Sequence, residues 1–274
     1  QIPQLETFEP AQCNEHGPYK ARVHVLTVVD EQHRLRSKCP KCLTDASMRD
    51  EARRVEVDRF ERARVLSALR DASGVPARFR SARLADFVAS TEAQQRVARA
   101  SNRFVDTFDP RAGRGLMMTG NCGTGKTLLG CAITNAIVER GHSARYMRAS
   151  VALRSIKETY SKASAITESE AIARLVNPDL LVLDEIGVQF GTDHEARLLF
   201  EIIEGRYSEC RSTILVSNLN AAEIERYLGE RVSDRFREMG AVLAFDWTSQ
   251  RGNRGVTAQF SPINTSAPVA AQGT

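Results

Sequence analysis

The chain has 274 residues, long enough for one or two domains with a sizeable core, and its 42% hydrophobic and 26% charged residues are ordinary for a soluble protein. No apolar run approaches membrane-spanning length and no secretory signal is read, so no membrane partner is expected and a cytoplasmic location is. The net charge of +4 is too small to mark a nucleic-acid binder, although residues 75–115 alone hold eight Lys/Arg against four Asp/Glu, an excess equal to that of the whole chain.

The first chemistry along the chain is a Cys/His cluster. Cys13 and His16 form Cys-x2-His; after 22 residues, Cys39 and Cys42 form Cys-x2-Cys. Two short ligand pairs around a β-rich segment are the arrangement of a structural zinc ribbon. Gly17 and Pro40 supply turn chemistry for two knuckles, and Ala21 to Val29 alternates as a strand. Four N/S ligands close a tetrahedron, so a Zn²⁺ there would be structural and not catalytic. A disulfide is the competing reading, disfavoured in a reducing compartment. His24 and His33 lack paired spacing and read as surface residues. Cys131 and Cys210, further on, read as core fillers.

Residues 44–72 follow as a charged, Arg-rich helix with an imperfect stripe of Met48, Val55, Phe60, Leu66 and Leu69. A solvated connector is the favoured reading, ended by Gly74-Val75-Pro76. Thr91 to Phe108 reads as another helix.

Residues 120–127, Gly-Asn-Cys-Gly-Thr-Gly-Lys-Thr, match G-x-x-x-x-G-K-[ST], the phosphate-binding loop of nucleotide hydrolases. A buried strand before it (Gly115 to Thr119) and a helix after it (Leu128 to Val138) give the context that the motif requires. Its glycines let backbone N–H groups approach phosphate oxygens, and the helix N-terminus adds partial positive charge. Gly120, Asn121, Cys122, Gly123, Thr124 and Gly125 would form the cradle for ATP. Lys126 can reach the β- and γ-phosphates, and Thr127 can ligate Mg²⁺.

Residues 145–162 carry five basic residues and one acid. A strand, Ala144 to Met147, enters a helix capped by Ser150. Arg154, Lys157 and Tyr160 lie near one another on it, cations for phosphates and a ring for a base of single-stranded DNA. A solvated helix face would look the same, and composition does not separate the two.

Leu180-Leu-Val-Leu183 is a strand buried on both faces, followed by Asp184 and Glu185, 57 and 58 positions after Thr127. Asp184 can hold Mg²⁺, and Glu185 can polarise the attacking water. A third strand, Ser212 to Ser217, ends at Asn218, where a polar side chain can sit between the carboxylates and the γ-phosphate. Residues 228–237 are dense in arginine, which at a subunit boundary can stabilise charge on a neighbour's γ-phosphate, but isolated arginines are usually surface residues and the role does not follow from these residues alone. A short strand, Ala241 to Asp246, leads to Trp247 and Arg251.

From about Val75 to Arg251 the chain resembles the DnaC family of replicative helicase loaders, a branch of the AAA+ ATPases. The resemblance rests on residues 120–127, on Asp-Glu-Ile-Gly-Val-Gln at 184–189, on Ser-Asn-Leu-Asn at 217–220, on Gly-Glu-Arg-Val-Ser-Asp-Arg at 229–235, and on Trp247 to Arg251. Transposase helper ATPases of the IstB type share this core. The resemblance implies an AAA+ domain with a parallel sheet flanked by helices. It implies that Lys126 and Thr127 bind ATP and Mg²⁺, and that Asp184 and Glu185 are the metal-side and water-activating carboxylates. It also makes Asn218 the first sensor, Arg235 the finger acting on a neighbouring subunit, with Arg231 a weaker candidate, and Arg251 the second sensor. Lys157 and Tyr160 fall on the family's single-strand contact helix. The implied partners are a hexameric replicative helicase of the DnaB type, single-stranded DNA and further copies of the chain in an ATP-dependent oligomer.

The zinc ribbon departs from the best-known bacterial loader pattern, though some phage relatives resemble it. The expected organisation is a zinc-ribbon module at 1–43, a helical linker at 44–74, the ATPase domain at 75–251 and a disordered tail at 252–274. A rival of another class is a zinc-ribbon nucleic-acid-binding module with a regulatory nucleotide site.

Overall fold

A computed structural model describes residues 7–28, 31–187 and 192–250, with the chain dividing into two compact units, Gln1–Val65 and Leu66–Thr274. The expected tail and Arg251 lie outside the described residues.

The first unit is an antiparallel meander, β1 (Thr7–Cys13), β2 (Gly17–Val28) and β3 (Glu31–Arg36), followed by α1 (Pro40–Ala72), whose residues up to Val65 belong to it. The β1–β2 turn closes on Cys13 opposite Gly17, whose φ of 77° is one that glycine adopts without strain. Only β2 was readable from alternation. β1 shows no regular alternation and β3 is largely polar, and Glu9 on β1 joins Arg34 and Arg36 on β3 at 3.3 and 2.9 Å. The second Cys pair is not a free knuckle. Pro40 is the first residue of α1, a position suited to its fixed φ and missing N–H, and this places Cys42 in the first turn. No side chain of α1 is buried, and Phe60 is 72% exposed, as a solvated connector requires.

The second unit holds a five-stranded parallel sheet in the order β5-β6-β7-β4-β8. The strands are β4 (Gly115–Gly120), β5 (Ala144–Arg148), β6 (Leu180–Ile186), β7 (Ser212–Ser217) and β8 (Gly240–Phe245). Their apolar residues alternate between two cores, which explains the unbroken apolar runs. Leu116, Met118, Leu180, Val182, Ile214 and Val216 meet α2 (Glu92–Asp106) and α3 (Lys126–Glu139) on one face. Met117, Leu181, Leu183 and Leu215 meet α4 (Ala149–Lys157), α5 (Glu168–Val176), α6 (Asp193–Ser208), α7 (Ala221–Leu228) and α8 (Glu230–Met239) on the other. The result is the expected parallel sheet flanked by helices. Among the described residues no helix is long and apolar enough to cross a membrane.

Two local expectations change. Ser150 lies inside α4 and does not cap it; Arg148 holds the cap position with no side-chain bond. Cys131 is buried as expected, but Cys210 is exposed, on a turn with φ 52° whose carbonyl accepts from Gly113 N. A fully buried arginine, Arg206, was not foreseen. Its guanidinium donates to the carbonyls of Leu175, Val176, Pro178 and Ser212 and to Thr213 Oγ1, fastening the end of α5 to the start of β7.

Candidate nucleotide and metal sites

β4 delivers its chain into the loop 121–125 at the sheet's C-terminal edge, and α3 starts at Lys126. Gly120 has φ 116°, and a Cβ there would stand 2.6 Å from Phe245 O on β8. Gly125 has φ 102°, and a Cβ there would press on the Phe87 ring at 3.0 Å. Side chains at either position would open the loop, so the sequence pattern has a steric cause. Lys126 is buried; its ammonium donates to Gly120 O at 2.7 Å and Asn121 O at 2.6 Å, so it points into the loop. Thr124 Oγ1 donates to Asn121 O at 2.8 Å, while Asn121 and Cys122 are exposed.

Parallel pairing brings Asp184 to the same edge. Thr127 Oγ1 donates to Asp184 Oδ2 at 2.8 Å. Tyr146 donates to that oxygen at 2.5 Å, and Glu185 N donates to Oδ1 at 2.7 Å. Asp184 is 3% exposed, and among the described residues its partners are neutral donors. No cation is among these partners, so none of them takes the place that a metal ion would fill. Hydroxyl and carboxylate oxygens are the hard donors that Mg²⁺ takes, so the residues fit the ion. Glu185 has φ 60°, left-handed for a non-glycine residue, where the β6–β7 register shifts between Leu183 and Ile186. Such strain gathers at functional sites because the surroundings must enforce it.

β7 lies between β6 and β4, so Asn218 follows it at the edge that carries Asp184 and the loop. Asn218 is exposed, and Gly120 N donates to the next carbonyl, Leu219 O, at 3.3 Å. The segment after β8 wraps the loop: Trp247 Nε1 donates to Thr124 O at 3.1 Å, and Gln250 N to Gly123 O at 2.9 Å. That brings the chain to the loop one residue before Arg251.

The remaining expected residues lie elsewhere. Arg235 on α8 forms a bidentate pair with Glu204 on α6, at 2.6 and 2.9 Å, and stacks on Tyr207. Its own subunit's phosphate loop is not among these partners. Lys157 at the end of α4 pairs with Glu195 at 2.8 Å, and the Tyr160 hydroxyl lies 3.1 Å from His194 Nε2, both on α6. Arg154 is exposed.

In the first unit Cys13, His16, Cys39 and Cys42 bring their ligand atoms within 4.8 Å of one another. Cys13 Sγ–Cys42 Sγ is 3.4 Å, and His16 Nδ1 lies 3.2, 3.8 and 3.9 Å from the sulfurs of Cys42, Cys13 and Cys39. Zinc with bonds of ~2.0–2.3 Å sets tetrahedral donors roughly 3.3–3.8 Å apart, so the donor set fits that ion. The backbone amides of His16 and Glu15 hold the Cys13 thiol down, at about 6, whereas its bond to Cys13 pushes Cys42 up to about 12. Asp45, one turn into α1, takes His16 Nε2 at 3.0 Å, which leaves Nδ1 facing the sulfurs.

Sequence reasoning missed Tyr146, Phe87, Glu204 and Asp45 as neighbours of these sites. Asp45 had a signal, since a residue three past Cys42 shares its side of a helix. The others meet their partners only through strand register or helix packing.

A family model described as IstB-like ATP binding protein matches residues 52–235. The replicative helicase loader DnaC of Escherichia coli K12 is 30% identical over 200 residues, 73% of this chain and 81% of the relative. That of Buchnera aphidicola subsp. Schizaphis graminum is 32% identical over 180 residues, 65% of this chain and 73% of the relative. A crystal structure of the DnaC helicase loader superposes with TM-score 0.56 at 27% identity, covering 62% of this chain and 99% of that one. The replication initiator DnaA bound to AMPPCP and single-stranded DNA shares the fold, with TM-score 0.54 at 21% identity, covering 64% and 51%. With a phosphate loop facing a buried acidic strand end, a family model matching residues 52–235 and a 30%-identical loader covering 73% of its length, the chain belongs to the IstB/DnaC family of AAA+ ATP-binding proteins, the family of the DnaC-like helicase loaders.

Proposed function

We propose that the protein is an ATP-driven loader that delivers a hexameric, DnaB-type replicative helicase onto single-stranded DNA. The carrying observation is the 2.8 Å contact between Thr127 and Asp184 beside the phosphate loop, in a chain whose relatives are named replicative helicase loaders.

In this reading the loop 120–125 and Lys126 bind the phosphates of ATP. Thr127 and Asp184 hold Mg²⁺, which neutralises charge on the terminal phosphates when bound. Glu185, held beside Asp184 by its strained backbone, orients and polarises the attacking water. Asn218 contacts the γ-phosphate from the neighbouring strand, and Arg251 reaches it from the segment that wraps the loop. Arg235 leaves its cis partner Glu204 to meet the nucleotide of a neighbouring subunit, which makes activity depend on an oligomer. Arg154, Lys157 and Tyr160 contact single-stranded DNA. Cys13, His16, Cys39 and Cys42 hold a structural Zn²⁺ in a module spanning 1–43, followed by a helical linker at 44–74 and an ATPase domain at 75–251.

The name of the family model supports a second reading, a helper ATPase that serves a transposase. Capture assays separate the two. Purified protein with ATP and Mg²⁺ should retain a DnaB-type hexamer and not a transposase; the reverse result would replace the loader reading. Mixing tests the oligomer: Arg235→Ala and Glu185→Gln, each inactive alone, should regain part of the ATPase activity together, because some interfaces receive both intact residues.

A further inference from the structure

We infer that Tyr146 is a positioning residue for the cation site: its hydroxyl fixes the Asp184 carboxylate so that it faces Thr127. The inference rests on the reading of that site as one for Mg²⁺ and ATP.

Strand register brings the two together. Tyr146 on β5 is paired with Val182 on β6, so Asp184, two residues further on, shares its face of the sheet. The diagonal distance is within reach of an aromatic side chain. The phenol then donates to Asp184 Oδ2, the oxygen that also accepts from Thr127, while Oδ1 accepts from Glu185 N. Three donors on two oxygens leave the carboxylate little freedom to turn. All three are neutral, so its negative charge remains available to a cation. A lysine or arginine at position 146 would fix the same rotamer but cancel that charge.

The ring is itself fixed. Tyr146 is 5% exposed and packs in the core with Val182 and Cys131. β5 is an edge strand, and its open side is closed by the chain leaving α1. Tyr146 N donates to Ser73 O at 2.7 Å, and a Cβ on Gly74 would lie 2.6 Å from Tyr146 O. The backbone of Tyr146 is therefore held from outside the sheet while its side chain holds Asp184 from within.

A hydroxyl that merely satisfied itself in the core would have no bearing on the cation. Tyr146→Phe keeps the ring and removes one donor, so it separates the two roles. The measurement is a Mg²⁺ titration of the binding of a fluorescent ATP analogue to the full chain, alongside the same binding in EDTA and a thermal melt. The midpoint in Mg²⁺ should rise about tenfold, in the range for lost partners of metal ligands, with binding in EDTA unchanged. A variant with the wild-type Mg²⁺ midpoint, whatever its melting temperature, overturns the inference. If the wild-type protein itself shows no Mg²⁺-dependent binding, and Asp184→Asn behaves identically to it, the parent reading of the site has failed instead.

Discussion

The two units of this protein reach order by different means. In the sheet unit, apolar strands are covered on both faces, and two continuous cores account for its shape. Among the residues of 7–65 whose side chains are described, the buried ones are Ala21, Val23 and Cys39. Side chains of this size each contribute little hydrophobic free energy. What the ribbon has instead is four converging ligands. The difference teaches that a unit can have legible chemistry without a legible core, and it sets the expectation that an ion supplies the missing stability.

The largest expected effect tests that contrast directly. Metal analysis should find one zinc per chain, and chelation or Cys39→Ser should unfold the ribbon, because structural zinc contributes about 10–16 kcal/mol in comparable small modules. The sheet unit should keep its own calorimetric transition and its nucleotide binding. Metal-free, reduced protein with an intact ribbon in NMR spectra would end the comparison.

The converse disruption is Arg206→Met. It leaves the buried carbonyls of Leu175 and Ser212 short of a donor and should destabilise the sheet unit by about 2–4 kcal/mol, taking ~1–2 kcal/mol for each. Denaturant melts should show this loss while zinc content stays at the wild-type value. An unchanged midpoint would mean that those carbonyls find other donors.

Within the sheet unit, Glu185→Gln should retain ATP binding and lose about 10²-fold or more in hydrolysis, the usual range for a lost general base. Turnover at the wild-type rate in a steady-state assay would remove Glu185 from that role.

The smallest effects belong to α4 and the turn after it. Tyr160→Ala should weaken binding to an oligothymidylate by about 1–3 kcal/mol if the ring stacks on a base. Lys157→Ala should flatten the salt dependence by about 0.7 in log–log slope, one counterion. The Lys157–Glu195 pair is part-exposed, and such pairs contribute at most about 1 kcal/mol, so phosphate can displace the carboxylate. Unchanged affinity at low salt in the double variant would return this surface to a solvated face.

How much was legible depended on the range of the interaction. The phosphate loop could be read because its glycine pattern lies within one strand–turn–helix, where Gly120 and Gly125 take positive φ, although the groups that would meet a Cβ there, Phe245 and Phe87, come from elsewhere in the chain. The run Leu180 to Leu183 announced a strand covered on both faces, since nothing else needs four consecutive apolar residues there. The Cys/His spacing announced a metal set, but β1 and β3 stayed hidden because β1 lacks a regular apolar alternation, β3 is polar, and their order comes from cross-strand pairing. Cys210 was misread because its burial depends on a turn that the sequence around it does not signal.

By itself, then, the sequence determined the elements whose cause lies within a few residues: the loop, the buried strands, the capped helix after Thr91 and the two ligand pairs. Tertiary structure alone decided what stands across from what. Register set Tyr146 on Asp184, strand order put Asn218 at the loop's edge, the packing of α6 against α8 gave Arg235 to Glu204, and a helix starting at Pro40 turned Asp45 toward His16. Each of these joins residues through hydrogen-bonded register or packed faces, which depend on the whole sheet closing at once and leave no periodic trace in the local sequence.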